Sequence, residues 1–383
     1  FKQSGQEVAT LDASGFFTGA RDDEEQSTGL TGKTKTFGIF ATNTHSLSDQ
    51  LSINTAVRYN FIQVDNHDTF NAAGGDTSLT GKHHYERFNP SIGITFSPTK
   101  NYTTYASYNE SSRAPTSIEL GCANPDQPCN LPTQMADDPP LEQVVAKTLE
   151  FGARGRLSNG VSWNAAIYSA ANHDDIIFVN ASSASGAGYF SNVSKTKRQG
   201  VDLGLAFDIN KASMNINYGF LLARYGSHIQ LPNEVNSSAS SDLISVNKGD
   251  YLPNIPKHHL KIRSDYKFSS RFKVGATVSA YTKSYMMGNE NQEHDPGTGS
   301  GLQGETPGYA LLNMDSEYNF KDGWNLYFKA INVLDQAYYT GGRLAESSVQ
   351  TSDRLHNGDE GDSVASLIPG SPQAAWIGLR HEF

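Results

Sequence analysis

Hydrophobic and polar residues alternate with period two along most of this chain. Leu260, Ile262, Tyr266 and Phe268 share one side of an extended segment, and His259, Lys261, Arg263, Asp265 and Lys267 share the other. After Ser269-Ser270 the pattern restarts, with Phe272, Val274, Ala276, Val278 and Ala280 set against Arg271, Lys273, Thr277 and Ser279. Period two is the mark of a strand with two different faces, and a two-residue joint between two such runs predicts a hairpin. The same alternation recurs in Leu51, Ile53, Val57, Tyr59 and Phe61, in Leu149, Phe151, Ala153 and Leu157, and in Val201, Leu203, Leu205, Phe207 and Ile209. It recurs again in Met214, Ile216, Tyr218, Phe220 and Leu222. The pattern predicts about fourteen strands, over 6–18, 33–46, 51–65, 83–97, 101–113, 144–157, 161–179, 188–209, 212–227, 257–268, 272–287, 308–320, 324–340 and 373–383.

The lengths of the joints decide between a soluble sandwich and a membrane barrel. Short joints at 47–50, 98–100, 158–160, 210–211, 269–270 and 321–323 alternate with long polar ones at about 66–82, 114–143, 228–254, 288–307 and 341–372. A transmembrane barrel sorts its connections in this way, with short turns at the periplasmic end and long loops outside. Crossing the hydrocarbon takes about 9–11 tilted residues per strand, which most segments exceed. In lipid the strands must close on themselves, because no water is present to satisfy an open edge. The fold class is therefore all-β: a single antiparallel, up-and-down transmembrane barrel over 1–383, with about fourteen strands and no plug. Aromatics gather near segment ends (Tyr59 and Phe61, Tyr105 and Tyr108, Tyr281 and Tyr285, Trp324 and Tyr327, Tyr338 and Tyr339), as in the belts that meet lipid headgroups.

Composition narrows the partners. Of 383 residues, 18% are charged and the net charge is −10, which argues against nucleic acid. Eighteen Tyr, 19 Phe and 3 Trp argue against disorder. Cys122 and Cys129 bracket a loop with two prolines, which a disulfide could close in an oxidising compartment. The alternative, half a zinc site, lacks a second Cys or His pair nearby.

Several stretches, in order, resemble the barrel of TonB-dependent outer-membrane receptors. Tyr102 to Tyr108, Arg113-Ala-Pro115, Glu119-Leu120, Pro140-Leu141 and Glu150-Phe-Gly152 are similar to that family's Tyr…Arg-Ala-Pro…Glu-Leu…Pro-x-Leu…Glu-x-Gly run. Asn192-Val193 with Gln199-Gly200-Val201-Asp202, then Gly249 to Leu260, look like its following hairpins. Asn332-Val-Leu-Asp335-Gln-Ala-Tyr338 looks like its Asn-Leu-Phe-Asp-x-x-Tyr motif. Gly370-Ser-Pro372 and the terminal Phe383, similar to the signal read by barrel-assembly machinery, look like its closing strand. The resemblance implies residence in the outer membrane of a Gram-negative bacterium, contact with outer-membrane lipid and lipopolysaccharide, and uptake of a scarce nutrient such as an iron-siderophore. The family's barrel has 22 strands around a plug. The matching stretches cover its C-terminal part, so the expectation is a portion of a larger receptor that meets TonB only through a plug not present in this chain. The rivals are a porin-like passive channel with a smaller barrel, and an outer-membrane enzyme.

The lumen face is expected to carry Arg58, Glu150, Arg154, Arg156, Asp202, Asp208, Asn215, Asn217, Lys261, Arg263, Asp265, Lys273 and Lys329. If the resemblance holds, ligand capture falls to the outer loops and mouth, where Arg113, Glu119, Tyr189, Arg224, Tyr225, Tyr251, Tyr285, Met286 and Met287 are the candidates. Met286 and Met287 with His294 have the donors for a soft metal. Those residues equally suit an apolar strand end followed by a loop, and no metal site is assigned. Adjacent histidines at 83–84 and 258–259 point to opposite faces of a strand and do not chelate together. The acidic runs 21–25 and 359–362 read as solvated loops, with divalent-cation bridging to lipopolysaccharide as the alternative. Gly299 to Gly304 matches the dinucleotide fingerprint but has no helix behind it. No cofactor is expected, and no Ser/His/acid arrangement marks a catalytic centre.

Overall fold

The structure is a computed structural model. It describes residues 2–4, 8–11, 17–22, 29–69, 78–121, 129–130, 141–157, 160–180, 187–233, 235–295, 304–320, 323–346 and 363–381. Thirteen long strands make the wall: β1 (Gly29–Ser46), β2 (Leu51–Asp68), β3 (Gly81–Thr99), β4 (Tyr102–Arg113), β5 (Val144–Arg156), β6 (Ser162–Asn180), β7 (Ala187–Ile209), β8 (Ala212–Tyr225), β9 (His258–Lys267), β10 (Phe272–Tyr281), β11 (Tyr309–Asn319), β12 (Trp324–Ile331) and β13 (Ala374–His381). Each pairs antiparallel with the next along the chain. Two short strands add to the sheet, Lys2–Ser4 beside Gly29–Thr31 and Cys129–Asn130 beside Ala187–Gly188. Among the described residues no ladder joins β13 to β1.

The strands follow the alternation closely, and three expectations are corrected. The first expected strand, 6–18, is instead a hairpin of Val8–Leu11 with Phe17–Asp22, outside the main sheet. The 324–340 segment stops at Ile331. Asn332 and Asp335 take left-handed backbone (φ 48° and 49°), and the Asn332 side chain replaces the ladder, accepting from the Gln336 N–H at 2.9 Å and donating to the Gln336 carbonyl at 3.0 Å. The 272–287 segment stops at Tyr281, and Ser284–Tyr285 pairs instead with Glu305–Thr306. The terminal Phe383, Cys122 with its expected cross-link to Cys129, and the acidic run 359–362 lie outside the described residues.

One face of the wall is apolar and open. Ile167 is 56% exposed, Phe151 49% and Ile377 73%, a degree of exposure for large side chains that suits contact with hydrocarbon and not with water. The other face is polar and tied together across strands. The Arg263 guanidinium donates to Asp315 at 2.9 Å and to Asp265 at 2.9 Å, Lys273 pairs with Glu317 at 3.6 Å, and the Tyr105 hydroxyl donates to Glu150 at 2.7 Å. On β8 the apolar line runs from Ala212 through Ile216 and Phe220 to Leu222. Ten rises of ~3.3 Å at a tilt near 40° give about 25 Å, the height of a lipid-facing band.

The packed interior lies elsewhere. The buried hydrophobic clusters gather at the end where the long loops emerge. Val179, Ala223, Tyr225, Leu231, Ile244, Val246 and Leu252 form one cluster, so the hairpin of Ile229–Pro232 with Leu243–Val246 seals against the upper ends of β6 and β8. Val64, Tyr85, Leu120 and Leu141 form a second, and Val235, Met286 and Leu344 a third. The wall is held by its ladders, and the outer end is held by hydrophobic burial as in a small soluble domain.

Candidate functional site

Four groupings of side chains stand at the outer end. The first begins at the close of β4. Arg113 and Glu119, both singled out from the sequence, meet there at 2.7 Å. Glu119 also accepts from the Thr116 N–H at 2.7 Å, and Thr116 Oγ1 accepts from the Glu119 N–H at 3.2 Å. This reciprocal capping box starts a single helical turn, Ser117–Leu120, which delivers Leu120 into the second cluster with no exposed surface. Burial pushes the Glu119 carboxyl up, but the hydrogen bonds from Arg113 and Thr116 outweigh it and hold the group below the ordinary carboxylate range. Arg113, Pro115 and Ser117 line a cavity of about 590 Å³ together with Gly32, Thr34 and Ile62.

The second grouping unites Arg224, Tyr251 and Tyr285 with Lys257, which the sequence reading missed. Arg224 Nη2 donates to the Tyr251 hydroxyl at 2.7 Å and its guanidinium lies 4.7 Å from that ring. The Lys257 ammonium lies 3.7 Å from the same ring, and Tyr285 stacks on it at 5.9 Å. Desolvation raises the Tyr251 phenol, yet hydrogen bonds from Arg224 and Lys257 prevail and lower it below its ordinary value. The neighbours of Arg224, Ala223 and Tyr225, are 2% and 3% exposed and belong to the first cluster, so Arg224 points to the opposite side of β8.

The third is a polar junction between the loops after β8 and β10. Asn233 and Asn236 both donate to the Gly288 carbonyl at 2.8 Å, and Asn291 donates to Ser238 Oγ at 2.7 Å. Ser237 N–H donates to His294 Nδ1 at 3.1 Å, which engages one of that ring's two nitrogens in the junction. Glu290 is buried and accepts from the Gly288 N–H at 2.9 Å; burial pushes its carboxyl above the ordinary range. Met286, fully buried, belongs to the third hydrophobic cluster, while Met287 carries a main-chain bridge to Arg343. Among the described residues there is no group of three His, Cys, Asp or Glu side chains arranged to hold a metal.

The fourth is an aromatic row on the polar face at the strand mouths. His259 stacks on Tyr281 at 4.6 Å, Tyr281 meets Tyr309 at 5.0 Å, and Tyr309 meets Tyr338 at 4.7 Å. Its neighbour His258 lies on the other face, bonded to the Tyr218 hydroxyl at 2.7 Å, as a strand requires of adjacent residues. The row joins residues remote in sequence, and only the register of β9, β10 and β11 reveals it. Tyr189 packs, half-buried, against the first hydrophobic cluster.

An open antiparallel meander with an apolar outer face, a polar inner face and loops sorted by length defines a membrane β-barrel wall. The family model for the TonB dependent receptor-like β-barrel matches residues 4–333, and the chain belongs to that family. It is 25% identical over 274 residues to a probable TonB-dependent siderophore receptor, PiuA, of Acinetobacter baumannii, a match covering 71% of this chain and 33% of that protein. The crystal structure of PiuA superposes with a TM-score of 0.63 at 17% identity, covering 91% of this chain and 43% of PiuA. The ferric yersiniabactin uptake receptor FyuA of Yersinia pestis gives 0.63 at 16% identity, covering 96% and 48%. The copper transporter OprC gives 0.62 at 13%, covering 92% and 48%. The chain thus spans about a third of the curated relative and less than half of each solved receptor.

Proposed function

We propose that this chain is part of the barrel wall of an outer-membrane receptor that takes up a scarce, chelated nutrient, with an iron-siderophore as the leading class. The observation that carries the reading is the two-faced wall, apolar outside and ion-paired inside, in a chain of the TonB-dependent receptor family. The long edges of β1 and β13, without a ladder along most of β1 and along β13 among the described residues, call for further strands, because a bare edge in hydrocarbon leaves backbone groups unsatisfied. A 13-strand sheet matching less than half of each relative's length suits one sector of a larger plugged barrel. TonB acts in this reading through a plug supplied by the rest of the receptor.

Ligand capture is assigned to the outer mouth. The row of His259, Tyr281, Tyr309 and Tyr338 offers flat ring faces and hydroxyl donors on the polar side, where a bulky chelate enters. Arg113, exposed beside the cavity at the end of β4, supplies a cation for an anionic ligand. The test is uptake of radiolabelled ferric chelates by cells whose own copy of the receptor gene has been deleted and restored on a plasmid. Uptake of one chelate that needs both the receptor and TonB supports the reading. Unchanged uptake of every chelate, or steady conductance of the full-length protein in a planar bilayer, overturns it in favour of a passive pore.

A further inference from the structure

The polar face carries an unbalanced group of cations at the end where the short turns lie. Reading across neighbouring strands, Arg154 of β5 pairs with Asn164 of β6, Asn164 with Gly204 of β7, and Gly204 with Asn217 of β8. The next row toward the short turns is Arg156, Ser162, Ala206 and Asn215, and it continues to Arg263 of β9. At its β9 end this row is neutralised, because Arg263 meets both Asp265 and Asp315. At its β5 end it is not. Among the described residues no carboxylate is within ion-pair distance of Arg154, of Arg156, or of Lys100 in the turn between β3 and β4. Glu150 and Asp202 lie on rows further outward, and Glu150 is engaged there by the Tyr105 hydroxyl.

These side chains enclose a space. Lys100, Arg154, Arg156, Asn164, Asn215 and Asn217 line a pocket of about 650 Å³, whose described lining contains three cations and no acid. All six are exposed to it. A Cβ at Gly204 would collide with the Asn164 side chain, so the glycine lets that amide lie flat against the wall and leaves the space in front of it free. Arg154 and Arg156 stand on one face of β5, about 7 Å apart along the strand. The chain as a whole carries a net charge of −10, so this local excess of positive charge is not a by-product of a basic composition.

We propose that this pocket is an exit-side binding site for the transported ligand, and that the ligand is a small polyanion bearing carboxylate or phosphate groups. The proposal rests on the uptake reading and deepens it by naming the ligand class. In a membrane barrel the short turns mark the periplasmic end, so a ligand that has passed the mouth meets this pocket last. The two guanidinium forks match the planar oxygens of carboxylate or phosphate, and Lys100 adds a mobile point charge. The three amides supply further donors without adding charge, which keeps the site from holding an anion too tightly to release it. A volume of about 650 Å³ falls within the range of about 300–1,000 Å³ for small-ligand sites.

The experiment titrates the full-length receptor in detergent with citrate, with pyrophosphate and with the neutral trimethyl ester of citrate, by calorimetry. At least one of the two anions binds at least about tenfold tighter than the ester, and added salt weakens it. The double variant R154Q/R156Q loses that preference. R156Q alone removes no described side-chain contact and weakens binding severalfold, which guards against a double variant that fails to fold. K211Q, which removes a cation bonded to the Phe268 carbonyl in a turn at the same end, keeps the preference. Cells carrying R154Q/R156Q capture a labelled anionic ferric chelate at the surface as the wild type does, and take it up severalfold more slowly. Equal binding of the ester and both anions overturns the proposal, as does a double variant that folds and keeps the preference or the wild-type rate of uptake. Wild-type cells that take up no chelate through the receptor overturn the uptake reading itself, and the calorimetry then still decides whether the pocket binds anions.

Discussion

Removing the Glu119 carboxylate tests whether the corner at the end of β4 is held by its capping box. In Glu119→Ala the Thr116 N–H loses its acceptor at 2.7 Å and Arg113 loses its partner at 2.7 Å. Loss of a capping interaction costs about 0.5–2 kcal/mol. The Arg113 side chain is 47% exposed, so its share is discounted to about 0–1 kcal/mol. The sum is about 2 kcal/mol of local stability, or roughly a 30-fold rise in the opening of the turn. Hydrogen exchange reads this directly at the Leu120 and Gly121 amides, bonded at 3.0 Å to the Thr116 and Ser117 carbonyls. Glu119→Gln keeps an acceptor and loses the charge, so its effect should be smaller. Because the folded carboxyl is held below its ordinary value, its contribution is present above the unfolded pKa, near 4.5, and is lost as pH falls through the folded value. After correction for the intrinsic slowing of amide exchange at lower pH, the protection of those two amides should therefore fall on acidification in the wild type and change little in Glu119→Ala. If exchange in Glu119→Ala matches the wild type, or if mid-strand amides of β5 and β6 quicken equally, the corner is not the independent unit described.

The other predictions concern separate parts of the outer end. Glu290→Gln should stabilise the loop junction at neutral pH: the raised carboxyl favours the folded state below the unfolded pKa, near 4.5, and that advantage is lost as pH rises through the folded value, which limited proteolysis of the loops across pH would reveal as a flattened profile. Ile244→Ala opens a cavity in the first cluster at a cost of about 2–5 kcal/mol, so the hairpin should become protease-sensitive while the strands keep their circular dichroism. Tyr309→Ala breaks the aromatic row at its centre and should weaken ligand binding by about tenfold without altering barrel assembly; unchanged affinity measured by fluorescence quenching would remove the row from the capture site.

The wall was legible in the sequence because each strand must present one face to hydrocarbon and the other to a polar interior, a demand that writes period two into the chain over eight residues or more. The strand from 51, the pair around Lys211 and the pair around Ser269-Ser270 all fall where the alternation places them. What escaped depends on side-chain bonds or on register. Nothing in the alternation up to Tyr338 shows that Asn332 will stop β12 by bonding to Gln336. Arg224, Tyr251 and Tyr285 were singled out, yet Lys257 was not, since its nearness to the Tyr251 ring follows from the path of the loop.

The division of the molecule into a wall and an outer cap follows from what each part can use for cohesion. Across the wall, burial of apolar side chains contributes little, because Ile167, Leu203 and Ile377 face outward and the opposite face is polar; ladders and cross-strand ion pairs such as Arg263 with Asp315 take that role. Above the lipid, water returns and burial becomes effective again, so the loops bury Leu120, Ile244 and Met286 completely, and Asn233, Asn236 and Asn291 bond polar atoms across the junction between them. Under the proposed role, ligand capture at the mouth needs loops with defined positions, and a cap with its own hydrophobic clusters supplies them without drawing on the wall. Substitutions in the cap should then change ligand affinity and loop protection while leaving assembly intact, and substitutions of Arg263 or Asp315 should do the reverse.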